Sequence, residues 1–240
     1  GEYDRNQPLV IDPVLSYATY FGGNGIDIAW AVAVDTNGFV YVAGETMGRL
    51  PITAGVTVTN KYSGATNGHG DAFVAKFDRT LTNLVALAYV GGKGGDVVLD
   101  LAVDGAGNAY LTGYTDSPDY PTTNAVYPNI SGSPFPGLGT YPIDAFVTKL
   151  GPQGTNPLAV IYSTYLGGTW VDEGVGIDVD QDGAAYITGY TASTNTFPLA
   201  NTVTNELLRS LAYGGGGDGF VAKISPSGSS LVYSMFLGGT

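Results

Sequence analysis

Hydrophobic and polar positions along the chain alternate in short blocks, not in helical stripes. Apolar runs such as Trp30 to Val34, Phe39 to Gly44 and Leu158 to Leu166 are rich in Val, Ile, Tyr and Phe. Gly, Pro, Asn and Asp bound them, which is the pattern of β-strands. No long segment with a 3.6-residue period competes, although Asn205 to Leu211 has room for a helical turn or two. Several runs, Trp30-Ala-Val-Ala-Val34 among them, are apolar on both faces. A strand that reads this way belongs to a sheet covered on both sides.

The blocks recur. An aromatic residue, an apolar residue and a Gly pair appear as Tyr20 to Gly23, Tyr89 to Gly92, Tyr165 to Gly168 and Phe236 to Gly239, at spacings of 69, 76 and 71. Four residues after each of the first three pairs stands an Asp (Asp27, Asp96, Asp172), and eight further on a second (Asp35, Asp104, Asp180). A third acidic position opens a copied hexapeptide, Asp71 to Lys76, Asp144 to Lys149 and Asp218 to Lys223, which holds three of the five lysines. Each copy reads as four strands. The second Asp opens a tight hairpin turn between the first two, Asp35-Thr-Asn-Gly38 in the first copy, with Asp and Asn bonding local backbone and Gly taking positive φ. The hexapeptide is the third strand, and the Tyr-rich run before the Gly pair is the fourth.

A four-stranded unit covered on both faces and repeated along one chain describes a β-propeller blade. The fold expected is all-β, with three four-stranded antiparallel propeller-type blades and an extra N-terminal strand. It divides as a lead-in over 1–14, an extra fourth-type strand over 15–23, and blade repeats over 24–92, 93–168 and 169–240. The strings Tyr162-Ser-Thr-Tyr-Leu-Gly-Gly168, Val179-Asp180, Ala185-Tyr-Ile-Thr-Gly-Tyr-Thr191, the pairs Tyr120-Pro121 and Phe197-Pro198, and Gly217-Asp-Gly-Phe-Val-Ala-Lys223 resemble the bacterial SBBP repeat. The resemblance covers Leu15 to Thr240, and the lead-in Tyr3 to Pro13 is similar to the segment that precedes such arrays. It implies a propeller fold in a large exported or cell-surface protein with structural, adhesive or binding roles, and carries no catalytic residues.

Two departures shape the expectation. Connectors of 27, 31 and 29 positions separate the second-strand Gly from the third-strand Asp. In a propeller they all emerge on one face, where they either form a recognition surface or cap the sheet edges. Three blades are also too few to close a ring of about 4 to 8. Either the residues belong to a longer array or chains associate, as a six-bladed pair or as a head-to-tail filament.

Composition narrows the partners. With 9 Lys+Arg against 21 Asp+Glu and a net charge of −12, the chain lacks the basic stripe that neutralises phosphates, so nucleic acid is excluded. No apolar run reaches the roughly 18 residues of a membrane span. Gly1 opens with neither an initiator Met nor a signal segment, so a mature product or an excised piece is expected. No Cys is present, which removes disulfides, thiol nucleophiles and thiolate metal sites.

Candidate chemistry is sparse. Asp178, Asp180 and Asp182 open like a calcium loop, but position 189, where the closing Glu would stand, is Gly, and only the middle Asp recurs, so capping the turn competes with binding the ion. No other cofactor is implied. The connector aromatics Tyr62, Tyr120 and Tyr127 are candidates to stack on a sugar, and Asn129-Ile-Ser131 is a glycosylation triplet. His69, the lone histidine, has no Gly-x-Ser-x-Gly elbow to serve and reads as a solvated loop residue. The strings Gly91 to Gly95 and Gly214 to Gly217 lack the Lys-Ser/Thr of a phosphate loop and read as turns. The expected function is a non-enzymatic scaffold, extracellular or on the cell surface, that partners itself or further blades through assembly or adhesion. A carbohydrate-binding propeller is the alternative, and a polysaccharide-acting enzyme the third.

Overall fold

The computed structural model describes residues 18–53, 55–64, 70–133, 142–193, 195–201 and 216–238. The first blade comprises β1 (Asp27–Val34), β2 (Val40–Thr46), β3 (Thr57–Thr59), β4 (Asp71–Phe77) and β5 (Leu84–Val90). The second comprises β6 (Asp96–Val103), β7 (Ala109–Thr115), β8 (Asp144–Gln153) and β9 (Asn156–Leu166). The third comprises β10 (Asp172–Val179), β11 (Ala185–Thr191), β12 (Asp218–Ile224) and β13 (Leu231–Leu237). Each is a four-stranded antiparallel meander in chain order; in the first, β3 adds a short parallel strand outside β5. Among the described residues there is no helix, and so none long and apolar enough to cross a membrane. The helical turn expected over 205–211, the lead-in, His69 and residues 15–17 of the extra strand lie outside the described residues. Residues 18–21 join no strand; Phe21 instead lays its ring edge-on against Phe77 at 5.1 Å.

The sheets stack face to face without closing a ring, with the second between the others. β6 touches β1 on one side and β10 on the other, so the first strands converge. One core joins the first two blades, where Tyr41, Val74 and Val90 meet Leu101, Leu111 and Phe146; a second joins the last two, where Tyr110, Val147 and Leu166 meet Ile177, Ile187 and Phe220. This is what two-sided apolar strands favour: at roughly 25 cal/mol per Å² of apolar surface, each broad side that a neighbour covers stabilises the sheet. We call the side facing the preceding blade the front and the opposite side the back.

Every first strand carries a bulge at the same place, at Trp30, Leu99 and Val175. The bulge brings the first strand's backbone onto the second strand at Gly44, Gly113 and Gly189, where a Cβ would collide with the carbonyl oxygens of Ile28, Val97 and Glu173. The repeated second-strand glycine is thus dictated by close backbone approach. Replacing Gly113 with Ala is expected to cost about 1–3 kcal/mol in urea unfolding. Gly105→Ala, where a Cβ meets nothing within 4 Å, should leave the midpoint within a few tenths of a molar.

Candidate functional site at the blade joints and end faces

The hairpin Asp of each blade caps its own turn. Asp35 Oδ1 accepts the N–H groups of Asn37 and Phe39, both at 2.9 Å; Asp104 and Asp180 repeat the pattern. The other oxygen points toward a second-strand tyrosine hydroxyl, that of Tyr41 (3.4 Å), Tyr110 (3.0 Å) or Tyr186 (3.2 Å). The third-strand lysine lies over that ring in every blade, with Nζ of Lys76, Lys149 and Lys223 at 4.8, 4.8 and 4.5 Å from the ring centre. Tyr41 accepts from Lys76 Nζ at 2.6 Å and donates across the joint to the carbonyl of Gly107, in the next blade's turn, at 3.0 Å. Tyr110 reaches Gly183 in the same way at 3.3 Å. Burial pushes the ammonium pKa of Lys76 and Lys149 down. Lys223, half-exposed on the back of the third blade, is pushed up by its hydrogen bonds to Tyr186 and Asp180, and holds Asp180 down at about 2.

At the candidate calcium loop the geometry is that of a capped turn. Both Asp180 oxygens are engaged by the turn amides, Tyr186 and Lys223, the turn-capping arrangement. Among the described residues no group of three His, Cys, Asp or Glu side chains is placed to hold a metal ion, Asp178, Asp180 and Asp182 included.

The Asp after each Gly pair ties one blade to the next. Asp96 accepts the Gly92 amide (2.8 Å) and the Thr115 and Ser117 hydroxyls (2.5 and 2.9 Å); Asp172 accepts the Gly168 amide and Ser193 hydroxyl, both at 2.7 Å. The hexapeptide Asp holds its own connector, Asp71 accepting from Ser63 and Asp144 from Ser131. Asp71, Asp96, Asp144 and Asp172 are all fully buried, and one oxygen each of Asp71, Asp144 and Asp172 has no hydrogen-bond partner. Burial raises all four carboxyl pKa values, to about 7 for Asp96 and about 8 for Asp144, where the neighbouring Asp172 adds to the effect.

The connectors fold back over their own blades. An apolar residue before a proline plugs the outer front of each sheet. Leu50 sits under Tyr89, donating its amide to that hydroxyl at 2.8 Å; Tyr120 packs on Phe146 at 4.9 Å, and Phe197 on Phe220 at 4.6 Å. Each connector then runs along the exposed edge of the fourth strand, as β3 on β5, Thr123 on Ser163 and Ala200 on Ser234. An Asn at positive φ ends each run, with Asn60, Asn124 and Asn201 donating side-chain amides to the carbonyls of Tyr89, Ile161 and Val232. The described parts of the connectors therefore blunt sheet edges that would otherwise be free to pair.

The sugar-stacking candidates fare unequally. Tyr120 is core, 3 % exposed, with its hydroxyl on Thr148, and is withdrawn as a ligand residue. Tyr127 is half-buried between the two cores. Tyr62, half-buried on Tyr89 with Arg49, Ile52 and Val58 nearby, lines a shallow surface groove. Asn129 is exposed.

What the sequence left unseen is the pairing of Tyr41, Tyr110 and Tyr186 with the copied lysines, and the asparagines at the edges. The signal was present in both cases: a Tyr at the second position of each second strand, and an Asn on the heels of each bridging residue.

On the outer faces of the first and third blades the positions that pack in the joints are exposed. On the front of the first blade Val32 and Val34 are exposed, Val32 at 67 %, whereas the residues matching Val32, Leu101 and Ile177, are 6 and 8 % exposed inside the joints. On the back of the third blade Leu237 is 49 % exposed, where Val90 and Leu166 are fully buried.

The fold defines a β-propeller-type repeat protein, and comparison with known families agrees. The model of the SBBP β-propeller repeat matches residues 17–51, 87–121 and 161–197. The chain carries the SBBP β-propeller repeat three times over. The second and third matches run from a fourth strand through the Gly pair and the next two strands to the plug, so there the family unit spans a blade joint. No curated protein matches the chain. Among solved structures, a protein of unknown function from Bacteroides caccae is similar over 87 % of this chain and 81 % of its own, at 14 % identity and a TM-score of 0.21.

The buried carboxyls make stability depend on pH in a definite direction. Their folded pKa values lie above the ordinary 3.8, so the folded state holds protons that the unfolded chain has released. The stability they provide is complete below about pH 4 and is lost as pH rises through 7 to 8. Urea midpoints should therefore fall from pH 5 to pH 8.5. Asp144→Asn, which cannot ionise, should be more stable than wild type at pH 8.5 by more than about 1 kcal/mol and nearly equal at pH 5. A wild-type midpoint that rises over this interval would contradict the assignment.

Proposed function

We propose that the chain is a non-catalytic, exported scaffold whose work is assembly: it covers its end blades with further blades of the same kind, in a surface layer, filament or adhesive array. The observation that carries this reading is the bare front of β1, where Val32 and Val34 lie in solvent while their counterparts, Leu101 and Val103 in one joint and Ile177 and Val179 in the other, pack against the preceding blade. An apolar strip of this kind beside a paired sheet is an association surface by default. The polar residues support a scaffold over an enzyme. The acids and lysines that recur in the blades are spent on turns, joints and edges, and such contacts are needed in every blade, whereas an active site is needed once. The carbohydrate-binding alternative rests on the groove beside Tyr62 alone.

Sedimentation velocity of the pure chain across a hundredfold range of concentration tests the reading. Association that grows with concentration and is lost in Val32→Asp is expected. A monomer throughout, with glycan binding abolished by Tyr62→Ala, would favour the alternative instead.

A further inference from the structure

The two internal joints are copies of one contact, and the outer faces of the first and third blades carry its separate halves. In each joint the receiving back presents a tyrosine, a lysine and an aspartate, and the entering front presents a turn glycine at positive φ, Gly107 at 79° or Gly183 at 83°. The fit is close. A Cβ on Gly107 would lie 3.3 Å from the Tyr41 hydroxyl and 3.9 Å from Lys76 Nζ; on Gly183, 3.2 Å from the Tyr110 hydroxyl and 3.5 Å from Lys149 Nζ.

The third blade has the receiving half complete. Lys223 Nζ donates to Asp180 at 2.9 Å and to the Tyr186 hydroxyl at 2.7 Å, and among the described residues no turn glycine of a following blade lies against them. The first blade has the entering half complete. Its turn closes with Gly38 N–H donating to Asp35 O at 2.9 Å, as Gly107 does to Asp104 and Gly183 to Asp180, both at 3.0 Å. Gly38 has φ 83°, the value at Gly183, but a Cβ there would meet only Arg79, at 3.4 Å. Beside the turn, Val32 and Val34 stand where Leu101 and Val103, and Ile177 and Val179, pack into the joints.

We propose that the back of the third blade docks the front of the first blade of a second copy of this chain. The Tyr186 hydroxyl donates to the Gly38 carbonyl of the arriving turn, and Val32 and Val34 seat against Val221 and Leu237, the counterparts of Val74 and Val90 and of Val147 and Leu166. The second copy is the occupant argued for because the chain itself carries both halves of a contact it already makes twice. The contact joins unlike faces, so it propagates head to tail or closes when the summed rotation completes a turn. Two copies supply six blades, within the usual propeller range of about 4 to 8. This inference rests on the assembly reading and names its partner, faces and register.

Two one-faced variants test it. Val32→Asp with Val34→Asp blocks the front, and Val221→Arg blocks the back. These side chains sit on the end faces of the isolated chain, and far-UV circular dichroism and thermal melts check that both variants fold. By sedimentation velocity each variant alone is expected to be monomeric, while an equimolar mixture forms a one-to-one dimer through the one intact pair of faces. Tyr186→Phe, which keeps the packing and removes one donor, should weaken wild-type association about two- to tenfold. A wild type that stays monomeric overturns this proposal and the assembly reading together. A wild type that associates, while a blocked variant still associates alone or the two fail to combine, overturns the pairing and leaves assembly standing.

Discussion

The constraint on which the structure depends is that each sheet is apolar on both broad faces. An antiparallel sheet can leave one face in water when its strands alternate; these do not. Val74 and Phe73 are adjacent on β4 and both buried, Val74 toward the second blade and Phe73 toward the plug of its own connector. A blade with a neighbour on only one side therefore leaves apolar surface in water. The middle blade has both neighbours, and the outer two have one each. The first blade covers the outer part of its front with Phe21, Leu50 and Tyr62, but not the strand nearest the axis.

Hydrophobic burial is non-directional, so it does not by itself set how blades stack. The polar contacts in the joints supply the register. A tyrosine hydroxyl meeting one carbonyl of the next turn fixes the angle and depth of each step, and the Asp after the Gly pair fixes the crossing between blades. These groups are costly to bury: carboxyls driven up toward neutrality and lysines driven down are the signs of that cost. The same tyrosine-to-turn-carbonyl contact recurs in both joints, as a contact that sets register must.

Much of this was legible in the sequence, because a repeat states each structural requirement several times. The offsets from Gly pair to first Asp to hairpin Asp located the joints and turns, and the copied hexapeptide located the third strand. The sequence was silent where a residue's role depends on a partner far along the chain. Tyr120 reads as a connector aromatic free to stack on a ligand, and only the fold places it under Phe146 as a plug. Asp180 reads as one third of a calcium loop, and only the sheet brings Lys223, 43 residues away, to its second oxygen. The asparagines at positive φ escaped notice because their purpose, satisfying the edge of the fourth strand, arises only once there is an edge.

The central claim is that the bare end faces are unfinished joints. Hydroxyl-radical footprinting of the wild-type chain, dilute and concentrated, reads this side chain by side chain. The account predicts that Val32 and Leu237 are oxidised readily in dilute solution and become protected toward the level of Leu101, Ile177 and Leu166 on concentration, while those three stay unchanged. End-face oxidation that is the same at both concentrations, in a chain that remains folded, would contradict it.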